Sequence, residues 1–292
     1  MRLDIAGQSL FFDIVGEQLR IDGPDLVEKP TLIAMHGGPG FDHQRLRPDL
    51  DPLADVAQLL YLDHRGNGRS LPSDPAGWTL DRWADDVRDL CDALGIVKPI
   101  VFGNSFGGLV AMSYLIRHPG HAGGAIISSS AAWYDFSQIF DAFERRGGAA
   151  ARAAAEAFWL RFTPEDHAAY GRVCSPLYGT RPPADPHQAA RTRGNPAVMR
   201  HFLSPEGEIR RMDLRPGLAG VACPVLVIAG REDPITAPAF SEVIAAHLPA
   251  ATTELHIFDN CGHGPFRDDP DAVLPVMRRW IGALPAPTKE PA

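Results

Sequence analysis

The chain of 292 residues has few cysteines, and their arrangement fits neither a disulfide framework nor a zinc site. The four thiols are Cys91, Cys174, Cys223 and Cys261, and no two of them form a C-x-x-C pair. Scattered cysteines are typical of reduced proteins rather than of small secreted domains. No H-E-x-x-H motif or cluster of cysteine and histidine is present either, so we predict no metal and no cofactor.

Positive charge is also scarce. The chain has 28 lysines and arginines against 36 aspartates and glutamates, a formal net charge of −8. Nucleic acids and anionic membranes are bound by concentrated basic surfaces, so this composition argues against both as partners. We expect the ligand to be a small molecule or a short peptide. The sequence carries no indication of an oligomeric state.

Long apolar runs are missing as well. No stretch approaches the roughly 18 uninterrupted apolar residues of a membrane-spanning helix. The first five residues, Met-Arg-Leu-Asp-Ile, are not followed by the apolar core of a secretory signal peptide. By default these absences predict a cytoplasmic protein.

Hydrophobic residues make up 45% of the chain, which is enough for a large core. Short β-branched or apolar runs alternate with longer amphipathic segments, a pattern that predicts a mainly parallel sheet with helices on its faces. The predicted strands are residues 10–15, 31–35, 58–62, 99–102, 125–128, 225–229 and 254–258. The predicted helices between them include residues 79–94 and 106–117.

This alternation stops between about residues 130 and 215. The segment contains proline and glycine clusters and no convincing strand. Its alanine-rich run, residues 149–157, precedes Phe158, Trp159 and Leu160, which predicts a helix with a packing face. We therefore predict a core of residues 1–130 and 216–284, a helical cap insertion of residues 131–215, and a flexible tail of residues 285–292.

A serine at the end of the predicted strand 99–102 carries the strongest functional signal. Residues 103–107, Gly-Asn-Ser-Phe-Gly, fit the G-x-S-x-G pattern of a nucleophile elbow. The glycines of this motif tolerate strained backbone and leave the hydroxyl of Ser105 exposed. An ordinary strand-to-helix turn would give the same five residues, so the assignment depends on the rest of the chain.

A nucleophilic serine needs an imidazole that accepts its proton and a carboxylate that orients the imidazole. Asp233 lies in residues 230–234, directly after the predicted strand 225–229, and His263 lies between two glycines after the strand 254–258. Serine, acid, histidine is the chain order of hydrolases built on such a sheet. Asp233 before Pro234 could alternatively open a turn, but the joint pattern favours catalysis. The other ten histidines precede the serine or lack a glycine-flanked loop after a strand.

The loop of residues 36–40, His-Gly-Gly-Pro-Gly, follows the predicted strand 31–35. Glycines let backbone amides approach a substrate oxygen without side-chain hindrance. We assign the oxyanion donors to the backbone N–H groups of Gly38 and of Phe106, the residue after the nucleophile. The alternative is a plain glycine turn.

Residues 63–70, Asp-His-Arg-Gly-Asn-Gly-Arg-Ser, follow another predicted strand. They lack the third glycine of G-x-G-x-x-G and the Gly-Lys-Ser/Thr of a P-loop, so nucleotide binding is not expected. We predict a structural turn beneath the active site.

Taken together, these motifs resemble the α/β-hydrolase superfamily, and the pair at residues 36–40 and 63–70 is similar to its proline iminopeptidase branch. The resemblance covers about residues 1–130 and 215–283. It implies the α/β-hydrolase fold, a mainly parallel sheet flanked by helices with a helical cap insertion. It also implies that Ser105, Asp233 and His263 form the catalytic triad.

Iminopeptidases of this branch hold the substrate amine with carboxylates, commonly a glutamate in a Trp-x-x-Trp-Glu-like stretch of the cap. Residues 155–162 lack that full pattern, and Phe106 stands where a tryptophan is usual. We expect the substrate-binding residues to be His36, Gly37, Glu144, Glu156 and Trp159. Glu165 and Glu208 are further candidate anchors, although the interpretation of each glutamate as a solvated helix charge is favoured over an anchor role.

The sequence therefore predicts a serine hydrolase that cleaves a small-molecule ester, lactone or amide through an acyl-enzyme. One alternative is a prolyl aminopeptidase that releases N-terminal residues from peptides. Two others are an acyltransferase with the same acyl-enzyme and a non-catalytic ligand-binding protein on the same fold.

Overall fold

The computed structural model describes residues 1–70, 72–182 and 185–285. Its strands are β1 (Arg2–Ile5), β2 (Gln8–Val15), β3 (Leu19–Asp22), β4 (Asp25–Glu28), β5 (Thr31–Met35), β6 (Gln58–Asp63), β7 (Ile100–Asn104), β8 (Gly124–Ser128), β9 (Val225–Gly230) and β10 (Thr253–Phe258). The predicted tail, residues 285–292, lies outside the described residues apart from its first position.

Eight of these strands form one sheet in the order β1-β2-β6-β5-β7-β8-β9-β10. The pairs β1/β2 and β2/β6 are antiparallel. The pairs from β6 to β10 are all parallel. The predicted mainly parallel sheet is confirmed, and each of the seven predicted strands overlaps an observed one.

The helices are α1 (Leu80–Leu94), α2 (Phe106–Arg117), α3 (Phe136–Leu160), α4 (Pro164–Val173), α5 (Gln188–Arg191), α6 (Pro196–Leu203), α7 (Arg215–Leu218), α8 (Pro238–His247), α9 (Pro265–Asp268) and α10 (Pro270–Ala283). The capping residues of α1 explain where the helix begins and ends, one residue inside the predicted start at residue 79. Thr79 Oγ1 accepts a hydrogen bond from the amide of Arg82 (3.2 Å), and Gly95 ends the helix with a φ of 66°.

The central strands are buried on both faces of the sheet. In β5, Ile33 and Met35 belong to one hydrophobic cluster with side chains of α1 and α2. Leu32 and Ala34 belong to a second cluster with side chains of α10. Because successive side chains point to opposite faces of a strand, the sheet separates two helical layers. This double burial is why the central strands appear in the sequence as continuous apolar runs.

Three strands were missed. Strands β3 and β4 pair only with each other, and Leu19, Ile21 and Leu26 on them are exposed. Strand β1 has four residues and pairs only with β2. Each of these strands has only four residues, and β3 and β4 leave their apolar side chains exposed, so none carries an apolar pattern long enough to predict a strand.

The segment between β8 and β9 contains helices α3 to α7 and, within its described residues, no strand. We call residues 131–215 the cap segment. Its first helix is longer than the predicted run 149–157, because it begins at Phe136 and continues through a kink at Gly148 (φ 71°). The amide of Leu214 donates to the carbonyl of Ala132 (2.8 Å), so the two ends of the cap segment lie side by side.

The carboxyl ends of the parallel strands lie at one edge of the sheet. The loops after β5, β7, β9 and β10 carry all five predicted catalytic and oxyanion residues at that edge. No helix in the part of the chain that the structure describes is long and apolar enough to cross a membrane.

Candidate active site

Ser105 lies between the end of β7 and the start of α2 in a strained backbone conformation. Its φ is 56° and its ψ is −119°, a region that residues with a side chain rarely adopt. A Cβ atom on Gly103 would lie 2.2 Å from the carbonyl oxygen of Gly107, and one on Gly107 would lie 2.2 Å from that of Met35. Only glycine at both positions allows this approach, which explains the motif and orients Ser105 outward.

Asp233 lies in the loop after β9 and is 3% exposed. Its Oδ1 accepts hydrogen bonds from the amides of Ile235 (2.8 Å) and Thr236 (3.0 Å), and its Oδ2 accepts one from Thr236 Oγ1 (2.8 Å). Burial alone would raise the pKa of Asp233, but the adjacent His263 and these hydrogen bonds outweigh it and lower the pKa. The carboxylate is therefore ionised at neutral pH.

The imidazole of His263 pairs with this carboxylate. His263 Nδ1 lies 2.8 Å from Asp233 Oδ2 and donates to it, which leaves Nε2 as the unprotonated nitrogen of the neutral ring. The ring of Tyr178 packs edge-on against the imidazole at 5.3 Å between centroids. The pair has the geometry of a histidine base with its orienting acid.

The loop that carries His263 is attached to the cap segment through backbone groups. The amide of His263 donates to the carbonyl of Tyr178 (2.6 Å). Asp268 Oδ2 accepts hydrogen bonds from the amides of Gly262 (2.7 Å) and Thr180 (3.1 Å), so one buried carboxylate joins the histidine loop to the cap segment. The histidine position therefore depends on the cap segment as well as on the sheet.

Ser105 and His263 line the same cavity. No hydrogen bond joins their side chains in this structure, in which both residues are described. Catalytic hydrogen bonds are often long without substrate and shorten when it binds. Asn104 Nδ2 is 3.4 Å from the carbonyl oxygen of His263, which links the elbow to the histidine loop.

The two predicted oxyanion donors also lie at this cavity. Gly38 and Phe106 line it, and neither amide donates a hydrogen bond to another protein group among the described residues. The side chain of Phe106 points into the core, where it packs edge-on against Trp83 (4.9 Å) and Phe202 (5.3 Å). Gly40 holds the loop, because its amide donates to Asn67 Oδ1 (2.6 Å).

His36, predicted to bind substrate, is fully buried beneath the loop and does not line the cavity. Its Nδ1 donates to the carbonyl of Gly37 (2.8 Å), and its Nε2 accepts from the amide of His64 (3.3 Å). Burial lowers the pKa of His36 and keeps the ring neutral. We correct its role to support of the loop, since both nitrogens are engaged with backbone.

The motif at residues 63–70 forms a buried turn near this loop. The carboxylate of Asp63 accepts hydrogen bonds from His43 Nδ1 (2.7 Å) and from the amide of Arg69 (2.7 Å). Ser70 Oγ donates to the carbonyl of Asp63 (2.6 Å). These bonds account for the motif as a structural turn.

The cavity between the sheet edge and the cap segment has a volume of about 670 Å³. Gly37 and Trp159, two of the residues predicted to bind substrate, line it. Aromatic residues form much of the remaining wall: Phe41, Tyr134, Phe158, Tyr170, Tyr178 and Phe202. This size and lining suit a small, largely apolar ligand.

The predicted glutamate anchors do not reach this cavity. Glu144 and Glu156 both pair with Arg152, at 2.9 Å and 2.8 Å, on the outer face of α3. We correct both from substrate anchors to surface ion pairs. Of the two further candidates, Glu165 is exposed on α4, and Glu208 accepts a hydrogen bond from the amide of Leu80 (3.1 Å).

Sequence reasoning missed several residues that support the site. Thr236 donates to the carboxylate of Asp233 from the common Asp-to-i+3 position, so its spacing could have indicated it. Asn104 lies inside the elbow motif itself. Tyr178 and Asp268 leave no comparable signal, because their contacts join segments that are far apart in the chain.

Comparisons with known proteins identify the family and the fold. The family model described as alpha/beta hydrolase fold matches residues 30–270. A proline iminopeptidase of Lactobacillus crispatus is 25% identical over 310 residues, covering 96% of this chain and 97% of its own. The crystal structure of the Mycobacterium smegmatis proline iminopeptidase has a TM-score of 0.76 at 21% identity and covers 97% of both chains. An esterase from Exiguobacterium antarcticum has a TM-score of 0.69 at 17% identity and covers 97% of this chain and 99% of its own.

The contact between Gly262 and the cap segment generates a prediction. A Cβ atom on Gly262 would lie 2.0 Å from the carbonyl oxygen of Tyr178, so Gly262→Ala should lower the free energy of unfolding by about 1–3 kcal/mol. In the matched control, Gly282→Ala, the new Cβ meets nothing within 4 Å, and a helical alanine should be neutral or stabilising by up to about 1 kcal/mol. Denaturant unfolding measures both; equal midpoints would contradict the role of Gly262.

Proposed function

The chain belongs to the α/β-hydrolase family, and from that membership we propose that it is a serine hydrolase acting on a small-molecule ester, lactone or amide. The observation that carries the proposal is the Asp233–His263 hydrogen bond of 2.8 Å at the edge of the cavity that Ser105 also lines. A buried carboxylate paired with a histidine beside a strained serine is the arrangement that nucleophilic acyl transfer requires.

In the proposed reaction, Ser105 Oγ attacks the substrate carbonyl carbon while His263 Nε2 accepts the hydroxyl proton. The resulting imidazolium is stabilised by the Asp233 carboxylate. The tetrahedral intermediate then expels the alcohol or amine, which takes the proton from His263. A water molecule, deprotonated by the same nitrogen, attacks the acyl-enzyme and releases the carboxylic acid and Ser105.

The amides of Gly38 and Phe106 are the proposed donors to the oxyanion. Both are free of protein acceptors among the described residues. Donors that are already oriented stabilise the developing charge without reorganisation during the reaction. Phe106 contributes only through its backbone, because its ring is held in the core.

The charges of the cavity wall support an ester, lactone or amide over a peptide with a free amine. An ammonium group in a pocket needs an unengaged carboxylate. The carboxylates that line the cavity within the described residues are Asp185 and Asp268. Asp185 pairs with Arg191, and Asp268 accepts two backbone hydrogen bonds.

The comparisons favour a second candidate, a prolyl aminopeptidase. The proline iminopeptidase relative aligns along 96% of this chain. This candidate would use the same triad. It differs from the first candidate because the cavity would have to bind the free α-amine of the substrate.

The first prediction concerns the nucleophile. Ser105→Ala should lower the turnover of an aryl ester by at least about 10³-fold and abolish labelling by a fluorophosphonate probe. The control is Ser113→Ala, at a buried position on α2 eight residues after Ser105. This variant should keep both the ester turnover and the fluorophosphonate labelling. An active, labelled Ser105→Ala protein would refute the assignment.

The second prediction separates two adjacent acids. Asp233→Asn should lower kcat by roughly 10⁴-fold, because an amide cannot hold His263 in the tautomer required. Glu232→Gln should change kcat by less than about threefold, since Glu232 is an exposed partner of Arg146 (3.2 Å). Steady-state kinetics of both variants test this prediction. A larger loss of kcat in Glu232→Gln than in Asp233→Asn would assign the orienting acid to Glu232 instead.

The third prediction decides between the two candidate functions. We expect short-chain aryl esters to be cleaved and prolyl and alanyl arylamides to be left intact, because the described residues of the cavity wall offer no unengaged carboxylate to an α-amine. Matched arylamides with the amine acetylated serve as the control. Cleavage that requires the free amine would establish the aminopeptidase instead.

A further inference from the structure

Arg45 lines the cavity without a carboxylate partner among the described residues. It ends the short 3-10 helix His43–Arg45, just after the oxyanion loop, and its side chain is exposed. An arginine side chain stays protonated in proteins. Arg45 therefore presents a permanent positive charge, with its hydrogen-bond donors unused, at the wall of a ligand cavity.

The ring of Phe41 connects this guanidinium to the oxyanion loop. Arg45 Cζ lies 4.1 Å from the centroid of Phe41, a contact that orients the guanidinium plane. Phe41 Cδ2 in turn lies 3.2 Å from where a Cβ atom of Gly38 would stand. The charge is thus one aromatic ring away from an amide proposed to hold the substrate carbonyl oxygen.

The other cations at the wall do not fill the same role. Arg267 donates through Nε to Asp49 Oδ2 (3.0 Å) and through Nη2 to the carbonyl of Arg45 (2.8 Å), so it is already paired. Arg181 also lines the cavity but has no aromatic contact that orients it within the described ranges. Arg45 is the oriented and unpaired member of this group.

We propose that the acyl part of the substrate carries a carboxylate and that Arg45 binds it. A single guanidinium offers two parallel N–H donors that match the two oxygens of one carboxylate. An ammonium group at the same place would meet the like charges of Arg45 and Arg267. The inference rests on the proposed hydrolase function and deepens it. It defines the acyl group as one derived from a dicarboxylic acid, in which one carboxyl carbon forms the bond that is cleaved and the other carboxylate is free.

The kinetic test compares aryl half-esters of succinic, glutaric and adipic acids with their carboxamide isosteres, which have the same shape without the charge. For at least one chain length, kcat/KM should favour the carboxylate by tenfold or more. Arg45→Gln should reduce this preference by about tenfold to a hundredfold, the usual effect of a charge-assisted hydrogen bond. Arg45→Lys should restore part of it as a point charge.

Arg200→Gln is the matched control. Arg200 also lies over an aromatic ring, 5.8 Å from Phe162, but does not line the cavity. Its substitution should leave the carboxylate preference unchanged. No preference in the wild-type protein at any chain length, or an undiminished preference in folded Arg45→Gln, would overturn the proposal. If Arg45→Gln lacks a native near-UV circular dichroism spectrum, the proposal is decided by the carboxylate-to-carboxamide ratio of kcat/KM in the wild-type and Arg45→Lys proteins.

A binding experiment separates this proposal from the proposed reaction. Monomethyl glutarate and its carboxamide isostere are titrated into Ser105→Ala protein by calorimetry, with no turnover required. Selective binding of the carboxylate that is lost in the Ser105→Ala, Arg45→Gln double variant supports the Arg45 site even if no ester is hydrolysed. Ester hydrolysis without charge selectivity in either experiment supports the hydrolase and refutes the Arg45 site.

Discussion

The close approach of backbone segments at a few glycines is the constraint on which the site depends. At the elbow, Gly107 lies where any Cβ would collide with the carbonyl of Met35 on the neighbouring strand. At the other end of the site, a Cβ on Gly230 would be 2.1 Å from the carbonyl oxygen of Gly262. These contacts bring together the loops after β5, β7, β9 and β10 closely enough for short side chains to meet. The strained φ of Ser105 is retained because the close packing of the surrounding backbone holds the residue in that conformation.

The cap segment takes part in this arrangement rather than merely covering it. Its Tyr178 carbonyl accepts the amide hydrogen of His263, and its Asn195 donates to the carbonyl of Gly40 in the oxyanion loop (2.6 Å). Backbone bonds of this kind couple the base and the oxyanion loop to the element that shapes the substrate cavity. A change in the cap segment is therefore expected to alter the geometry of catalysis together with selectivity.

The proposed reaction and the proposed substrate rest on different parts of the molecule. The loops at the sheet edge carry Ser105, His263 and Asp233, the proposed nucleophile, base and acid. We propose that the charges left unengaged in the cavity wall select the substrate. The glutamates of α3 pair with Arg152 outside the cavity, while Arg45 lines it, and this arrangement favours a carboxylate over an amine at the proposed site.

The sequence by itself determined the sheet and the position of the elbow at its edge, because these rest on local signals: buried strands and glycine at forced positions. It also predicted the helix at residues 79–94, which the structure shows as α1 (Leu80–Leu94). The chain order of Ser105, Asp233 and His263 led to the prediction of their roles, and that prediction is carried into the proposed function. It could not assign His36, Glu144 or Glu156, since their roles depend on which way a side chain faces after folding. Only the tertiary structure decided that Tyr178 and Asp268 hold the histidine loop and that Arg45 has no ion-pair partner within the described ranges. These contacts join segments that are distant in the chain. Such contacts produce no local pattern of hydrophobic residues from which a sequence could predict them.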